Sequence, residues 1–463
     1  MNGPAEIFRA YDIRGIAGST LTPAVVRAIG RALGTLGRER AATGFGKRTV
    51  FAVGRDGRLS GPELSAALMD GLNAAGADVI DLGMVPTPVT YFAAHHLGCR
   101  SAVMVTGSHN PGQYNGLKMV VADDTLSGDA IQGLRQTVEG GVFSSGSGKR
   151  VREDVLGAYV ERIAGDVKLA RPFRVAIDCG NGVAGLIAPR LYRRLGCEVT
   201  ELFSEVDGNF PNHHPDPSRP ENLADLVREL GTGKAELGLA FDGDGDRLGV
   251  VTKSGSIIFP DRQLMLFARD VLERDPGAEI IYDVKCTRLL APWIERHGGR
   301  PLIWKTGHSL IKAKLKATGA PLAGEMSGHI FFKERWYGFD DALYCGARLL
   351  EILSREADPN LALESLPDAP STPELNWQLA EGEPHAIIAR LQRLNPFSGA
   401  SRLLTIDGVR AEFDDGFGLA RASNTTPVIV LRFEGDTPQA LARIQEEFRR
   451  TLQPLKPNSP LPF

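Results

Sequence analysis

The sequence lacks most of the signatures that assign a protein quickly. No apolar run approaches the ~18 residues that cross a bilayer, so no membrane-spanning helix is expected. The five cysteines (Cys99, Cys179, Cys197, Cys286 and Cys345) form no CxxC pair. That disfavours a thiolate metal site and a disulfide framework, and it fits a reducing cytoplasm. There is no excess of charge of either sign: 53 Lys+Arg stand against 56 Asp+Glu, a net charge of −3. The balance argues against nucleic acid or anionic lipid as a partner held by general charge. An anionic ligand must then meet local positive groups. The first fifteen residues carry Glu6, Arg9, Asp12 and Arg14 and no apolar stretch, so no secretion is expected.

What is present is a chain of 463 residues, 43% of them hydrophobic, enough for large buried cores. Length alone suggests about three domains. Three segments share one rhythm: a strand-like run, a helix-like run, another strand-like run, and then a polar loop. The first passes from Thr49–Val53 through a helix near Pro62–Ala75 to Ser101–Val105. The second passes from Phe173–Ile177 through Leu186–Leu195 to Leu237–Phe241. The third passes from Glu279–Tyr282 through Leu289–His297 to Ala320–Ala323. Such alternation reads as α/β units with largely parallel sheets, whose chemistry collects at the carboxyl ends of strands. A Gly/Ser-rich connector covers 140–149, followed by helix-like Val151–Ile163. Beyond Pro367, Pro370 and Pro373 the pattern becomes that of a small α+β domain with an antiparallel sheet. The expected division is 1–150, 151–254, 255–366 and 367–463.

The loops hold the chemistry. After Leu237–Phe241, Asp242, Asp244 and Asp246 alternate with glycines. Carboxylates two apart in a tight turn can converge, and an all-oxygen set suits a hard cation such as Mg²⁺. An EF-hand is ruled out because Arg247 stands at the sixth position and Lys253 at the twelfth. Ser108 lies between Gly107 and His109 after an apolar run, without the GxSxG surroundings of an acyl-transfer serine. Lys118, ten residues on, is a candidate charge partner or base. Glu325 and Ser327, flanked by glycines, offer an acceptor and a hydroxyl to a polyol such as a sugar. Arg421, Ser423, Asn424, Thr425 and Thr426 gather one guanidinium with hydroxyls and N–H groups, a cradle for phosphate. The P-loop candidate Gly146–Lys149 fails, with Phe143 where glycine is needed and Arg150 for Ser/Thr. The pairs His95-His96 and His213-His214 read as structural.

Taken in order, these loops resemble those of the α-D-phosphohexomutase superfamily, most closely its bacterial phosphomannomutase/phosphoglucomutase group. Phe8-Arg9-Ala10-Tyr11-Asp12-Ile13-Arg14-Gly15 and Val53-Gly54-Arg55-Asp56-Gly57-Arg58 extend the resemblance, which covers essentially the whole chain. It implies three similar α/β domains and a smaller C-terminal domain around a central cleft. It implies a phosphoserine at Ser108. Mg²⁺ would sit on Asp242, Asp244 and Asp246 with a phosphoryl oxygen of Ser108. Glu325 and Ser327 would hold the sugar 3- and 4-hydroxyls, and Arg421–Thr425 the phosphate. Lys285, His308, Tyr11 and Arg14 are implied as further contacts in the cleft.

The implied reaction interconverts hexose 1-phosphate and 6-phosphate through a 1,6-bisphosphate that turns over in the cleft, in a monomer. Arg247 is placed to neutralise phosphoryl oxygens, and Lys118, His109, Arg14 and His329 are candidate bases or base assistants. If C3 and C4 are read and C2 is not, both glucose and mannose phosphates are substrates. Excluding water implies closure of the last domain on the Pro367–Pro373 hinge. The alternatives are a phosphoglucosamine mutase, a Mg²⁺-dependent sugar phosphatase, and a sugar-phosphate-binding protein without activity.

Overall fold

A computed structural model of the chain describes residues 4–42, 49–394, 396–424 and 426–463. The strands form four sheets, one after another along the chain. In the first, Ala102–Val105, Val50–Arg55, Asp78–Met84 and Arg150–Arg152 run parallel. Tyr114–Val121 then lies antiparallel between Ala102–Val105 and Ile13–Ile16. In the second, Leu237–Phe241, Arg174–Asp178 and Glu198–Leu202 are parallel, and Leu248–Thr252 returns antiparallel. In the third, Arg300–Trp304, Glu279–Asp283 and Leu322–Gly324 are parallel, and Ile330–Phe332 returns antiparallel.

This shared plan amends the expectation of largely parallel sheets. The third parallel strand of each unit is followed not by a helical crossover but by a short loop and an antiparallel strand. The three polar loops are those connections: 106–113, 242–247 and 325–329. Anchored on both sides by paired strands, each is held at the carboxyl edge of its sheet.

The fourth sheet is antiparallel throughout, in the order Leu375–Gln378, Val428–Gly435, Gly416–Ala422, Val409–Phe413, Arg402–Leu404. Arg402–Leu404 and Val409–Phe413 are joined by a turn in which Gly408 takes a φ of 85°. Helices Glu383–Leu394 and Pro438–Leu452 bury Ile387, Ile388, Leu391, Ile444, Phe448 and Leu452 against this sheet.

One apolar core runs through the first three units, joining Ala52 and Phe92 to Tyr159, Leu239, Ile280 and Leu350. The last unit has its own core around Trp377 and Phe433. Two connectors differ from expectation. Arg150–Arg152 is an edge strand, and the following helix starts only at Leu156. The Gly/Ser-rich stretch is packed rather than loose, since Gly146 and Gly148 donate backbone hydrogen bonds to Ala74 and Asn73. The Pro-rich segment pairs with the last sheet through Thr372 N to Phe433 O and Gly435 N to Pro370 O. Among the described residues, no helix is long and apolar enough to cross a membrane, and the five cysteines are free.

Candidate active site

The loop after Ala102–Val105 carries Ser108 in the left-handed region, with φ 48°, an uncommon conformation for a residue with a side chain. Local bonds hold it there. Thr106 Oγ1 accepts from Ser108 N at 2.8 Å and donates to Asp56 Oδ2 at 2.7 Å. Gly107 is confined by Arg58: a Cβ added there would lie 2.4 Å from Arg58 Cζ. Ser108 is buried, and its hydroxyl donates to Asp242 Oδ2 at 2.8 Å. His109 Nδ1 is 3.1 Å from Ser108 Oγ. Burial, with Arg247 and Arg14 nearby, pushes the His109 imidazole well below its usual range, so it is neutral at pH 7.

The acidic turn of the second unit lies directly against this serine. A Cβ at Gly243 would sit 2.4 Å from Ser108 O, so a glycine is what lets the two loops touch. Gly245, at φ 77°, closes the turn. Asp242 Oδ1 accepts from the backbone N–H groups of Asp246 and Arg247 at 3.0 and 3.1 Å. Asp244 Oδ2 accepts from Thr87 Oγ1 at 2.5 Å and Lys118 Nζ at 2.7 Å, and Lys118 also pairs with Asp246. Burial lowers the Lys118 pKa, but Asp244 and Asp246 outweigh it and hold the ammonium firmly protonated. In this arrangement Lys118 is the charge partner of Asp244 and Asp246. Burial, with Asp244 and Asp246 beside it, raises Asp242 well above the carboxylate range.

The three aspartates are fully buried and can place one oxygen each within 4.8 Å of the others. Asp244 Oδ1 and Asp246 Oδ1 accept no hydrogen bond. Unsatisfied buried carboxylate oxygens are costly. An all-oxygen donor set that converges and leaves lone pairs unused fits a hard divalent cation.

The third unit supplies the loop 325–329. Glu325 Oε1 accepts from Gly307 N at 2.5 Å, and Oε2 faces His329 Nδ1 at 3.1 Å. Ser327 Oγ lies 3.1 Å from that same ring nitrogen. His329 Nε2 faces Asp246 Oδ1 at 3.3 Å. Burial and Arg247 lower its pKa, yet the Asp246 and Glu325 carboxylates outweigh them and raise it to about 9. Arg247 Nε lies 3.2 Å from His329 Nε2. His308 starts the helix His308–Thr318, and its Nδ1 lies 3.7 Å from Asp340. Burial, with Lys312 and Lys118 nearby, drives it well below the usual range and keeps it neutral.

The last unit closes the ring. Arg421 Nε donates to Asp407 Oδ2 at 3.0 Å, and the buried Nη2 donates to nothing among the described residues. Asp407 Oδ2 also accepts from Thr306 N at 2.9 Å, so one carboxylate ties the fourth unit to the third. Tyr11 joins three units: its hydroxyl donates to Thr306 O at 2.7 Å and accepts from Asn424 Nδ2. Burial raises the Tyr11 phenol to about 12. Lys285 Nζ pairs with Glu374 Oε2 at 2.8 Å, again across the third and fourth units. Arg14 pairs with Asp12 at 2.5 Å and donates to Asn110, which makes it a neighbour of the serine loop. Ser423 sits in the same loop as Asn424, its N–H donating to Val428 O. Thr425 lies outside the described residues.

Contacts thus run from Ser108 to Asp242, from Lys118 to Asp244, from Asp246 to His329 and from Thr306 to Tyr11 and Asn424. Sequence reasoning missed Asp56, Arg58, Thr87, Glu374 and Asp407, which hold these groups. The one available signal was the charged run Arg55-Asp56-Gly57-Arg58 ending a buried strand. His95 and His96 stack on Tyr337 and Phe92, away from these loops. His214 does reach the serine loop, donating to His109 O.

Models for the phosphoglucomutase/phosphomannomutase family match the chain in order: α/β/α domain I over residues 5–143, domain II over 157–255, domain III over 259–368 and the C-terminal domain over 374–451. A phosphoglucomutase of Neisseria gonorrhoeae is 58% identical over 451 residues, 97% of each chain. A phosphomannomutase/phosphoglucomutase of Pseudomonas aeruginosa is 56% identical over 461 residues, 99% of this chain and 98% of that one. A crystal structure of a phosphoglucomutase/phosphomannomutase family protein of Burkholderia thailandensis superposes with a TM-score of 0.93 at 59% identity, covering 99% of both chains. With four matched domains and full-length relatives above half identity, the chain belongs to the phosphoglucomutase/phosphomannomutase family and is an enzyme that interconverts hexose 1-phosphates and hexose 6-phosphates.

Proposed function

We propose that the interconversion runs through a phosphorylated Ser108 and a hexose 1,6-bisphosphate, and that glucose and mannose phosphates are both substrates. The observation that carries this reading is the 2.8 Å contact of Ser108 Oγ with Asp242 Oδ2, inside a buried acidic cluster with unused oxygens. Asp242, Asp244 and Asp246 would hold Mg²⁺ together with a phosphoryl oxygen on Ser108. Such an ion draws charge from the phosphoryl oxygens.

The chain's own residues do the rest. As the sugar oxygen bonds to phosphorus, the bond from phosphorus to Ser108 Oγ breaks. The sugar hydroxyl gives up a proton and the serine oxygen gains one. His109, neutral and 3.1 Å from Oγ, stands where the serine's proton is handled. It lies on the leaving side of phosphorus, since attack is in line and opposite. His329, bracketed by Glu325 and Asp246, is cationic and adds positive charge near the phosphoryl group rather than taking the sugar's proton. Lys118 and Arg247 stay cationic and offset phosphoryl charge.

Glu325 and Ser327 hold adjacent hydroxyls. Arg421, Ser423, Asn424 and Thr425, with Lys285, His308 and Tyr11, hold the phosphate that is not reacting. The second transfer, from the other end of the bisphosphate back to Ser108, needs the sugar to turn over. A hydroxyl pair read without C2 serves both poses and both sugars. One chain supplies every loop, so a monomer suffices, and the free cysteines suit a reducing cytoplasm.

Phosphorus NMR on enzyme, Mg²⁺ and mannose 1-phosphate with a trace of bisphosphate tests the scheme. The expected spectrum shows mannose 6-phosphate growing in, a phosphoserine resonance, and little free phosphate. Turnover of glucose 1-phosphate alone would overturn dual use. Accumulating inorganic phosphate without isomer would favour a phosphatase.

A further inference from the structure

Arg58 belongs to none of the loops assigned to the sugar phosphate, yet it is among the most completely used side chains in the protein. It is 1% exposed. Nη2 donates to the carbonyls of Ser108 at 2.7 Å and Asn110 at 2.6 Å, and Nη1 to those of Pro111 at 2.7 Å and Tyr114 at 2.9 Å. Nε donates to Asp56 Oδ2 at 3.2 Å. All five guanidinium N–H groups are thereby spent. The carbonyl that Arg58 leaves, that of His109, is taken by His214 Nε2. Phe210 covers the guanidinium face, its ring centre 5.3 Å from Cζ. Phe210 and His214 both come from the long 203–218 loop of the second unit, so the clamp has one jaw in each domain.

A buried guanidinium is costly unless every donor is satisfied. Here one carboxylate meets the charge and backbone carbonyls meet the rest. Four successive carbonyls, 108 to 111, are held by a cation and an imidazole rather than left free beside a phosphoryl dianion. Only a planar fork with fixed donor directions spans four of the five carbonyls that the pair engages. The same fork excludes any side chain at residue 107.

We infer that Arg58 is a positioning residue for the phosphoryl group: locked by Asp56 and completed by His214, it fixes the left-handed backbone of Ser108 and so aims Oγ at the sugar hydroxyl. The inference rests on the reading that Ser108 carries the transferable group. A misplacement of about 1 Å costs roughly 10²-fold in rate.

The test is Arg58→Lys, which keeps the charge but gathers its donors on one atom. Its kcat should fall about 30- to 100-fold, with KM for glucose 1-phosphate within about twofold of the parent, because the groups that hold sugar and phosphate are untouched. The phosphoserine phosphorus resonance should shift or broaden. If Arg58→Lys does not fold, His214→Leu and His214→Gln replace it. Leucine should lower kcat by about tenfold with KM kept, and glutamine, which retains a donor, should recover most of that loss. An unchanged kcat, a KM that rises as kcat falls, an unchanged resonance, or equal behaviour of leucine and glutamine would each overturn the inference. The parent and Ser108→Ala are run alongside. A parent without the resonance sinks the phosphoserine reading instead, and so separates the two failures.

Discussion

In the scheme proposed above, the serine loop and the loop of the C-terminal domain handle the two phosphates of one substrate, and they are held in opposite ways. The first is over-determined: Asp56, Arg58, Thr106 and His214 fasten its backbone, and Gly243 presses the acidic turn against it. The second is tethered by fewer bonds: Arg421 to Asp407, which also accepts from Thr306 of the third unit, and Asn424 to Tyr11 of the first. The difference follows from the work each does. Phosphoryl transfer is governed by positioning and charge, so its frame must not give. A phosphate that has to be released while the sugar turns over needs a grip that lets go.

The contrast can be broken experimentally. Its strongest form is Ser108→Ala, which removes the group that the rigid loop exists to present. Mutase activity should fall by at least about 10³-fold, the scale on which loss of a nucleophile acts. Substantial activity in a coupled assay would show that the loop's rigidity serves something else. Next comes the charge held by the acidic turn. Exhaustive chelation, or Asp244→Asn, should lower kcat by about 10²- to 10³-fold, and added Mg²⁺ should restore only the chelated parent. Activity that survives chelation would leave those unused oxygens without a purpose.

On the lightly held side the effects should be smaller and should fall on binding. Arg421→Ala removes a charged donor whose Nη2 is buried and unpaired, worth about 1.5–3 kcal/mol. KM for hexose 1-phosphate should rise about 10- to 100-fold, more than kcat falls. A pure kcat defect would mean that this loop takes part in the chemistry as fully as the serine loop does. Tyr11→Phe deletes one tie between three units and should cost about 0.5–1.5 kcal/mol, seen as a change of roughly two- to tenfold in kcat/KM. No change would show that the Thr306 and Asn424 contacts carry none of the closure.

Much of this was legible in the sequence because each loop carries its reactive groups in consecutive residues. Asp242, Asp244 and Asp246 announce a convergent acidic cluster by alternation with glycine alone. The repeated strand, helix and strand exposed three like units, since continuous apolar runs such as Leu237–Phe241 are visible by eye. What stayed hidden is non-local. Arg58 acts on carbonyls about fifty residues away, and Asp407 acts on Thr306 of another domain. No periodicity encodes such pairings. The antiparallel return after each loop was missed for a related reason: Leu248–Thr252 is as apolar as a parallel strand, because it too is buried on both faces. Lys118 reads from sequence as a base or a charge partner, and the two carboxylates at its ammonium, from another unit, are invisible to any spacing.

The separate hydrophobic cores carry a further consequence. Ala52, Tyr159 and Leu350 share one interior while Trp377 and Phe433 anchor another, and a small apolar patch of Val284, Phe417 and Leu419 lies between the third and fourth units. The rest of that boundary is polar, with Arg410 donating to the carbonyls of Val284 and Cys286 and Arg432 facing Asp261. A seam made largely of charged and carbonyl contacts parts more readily than an apolar interior does, so the C-terminal unit is the part that can shift while the surroundings of the serine stay assembled.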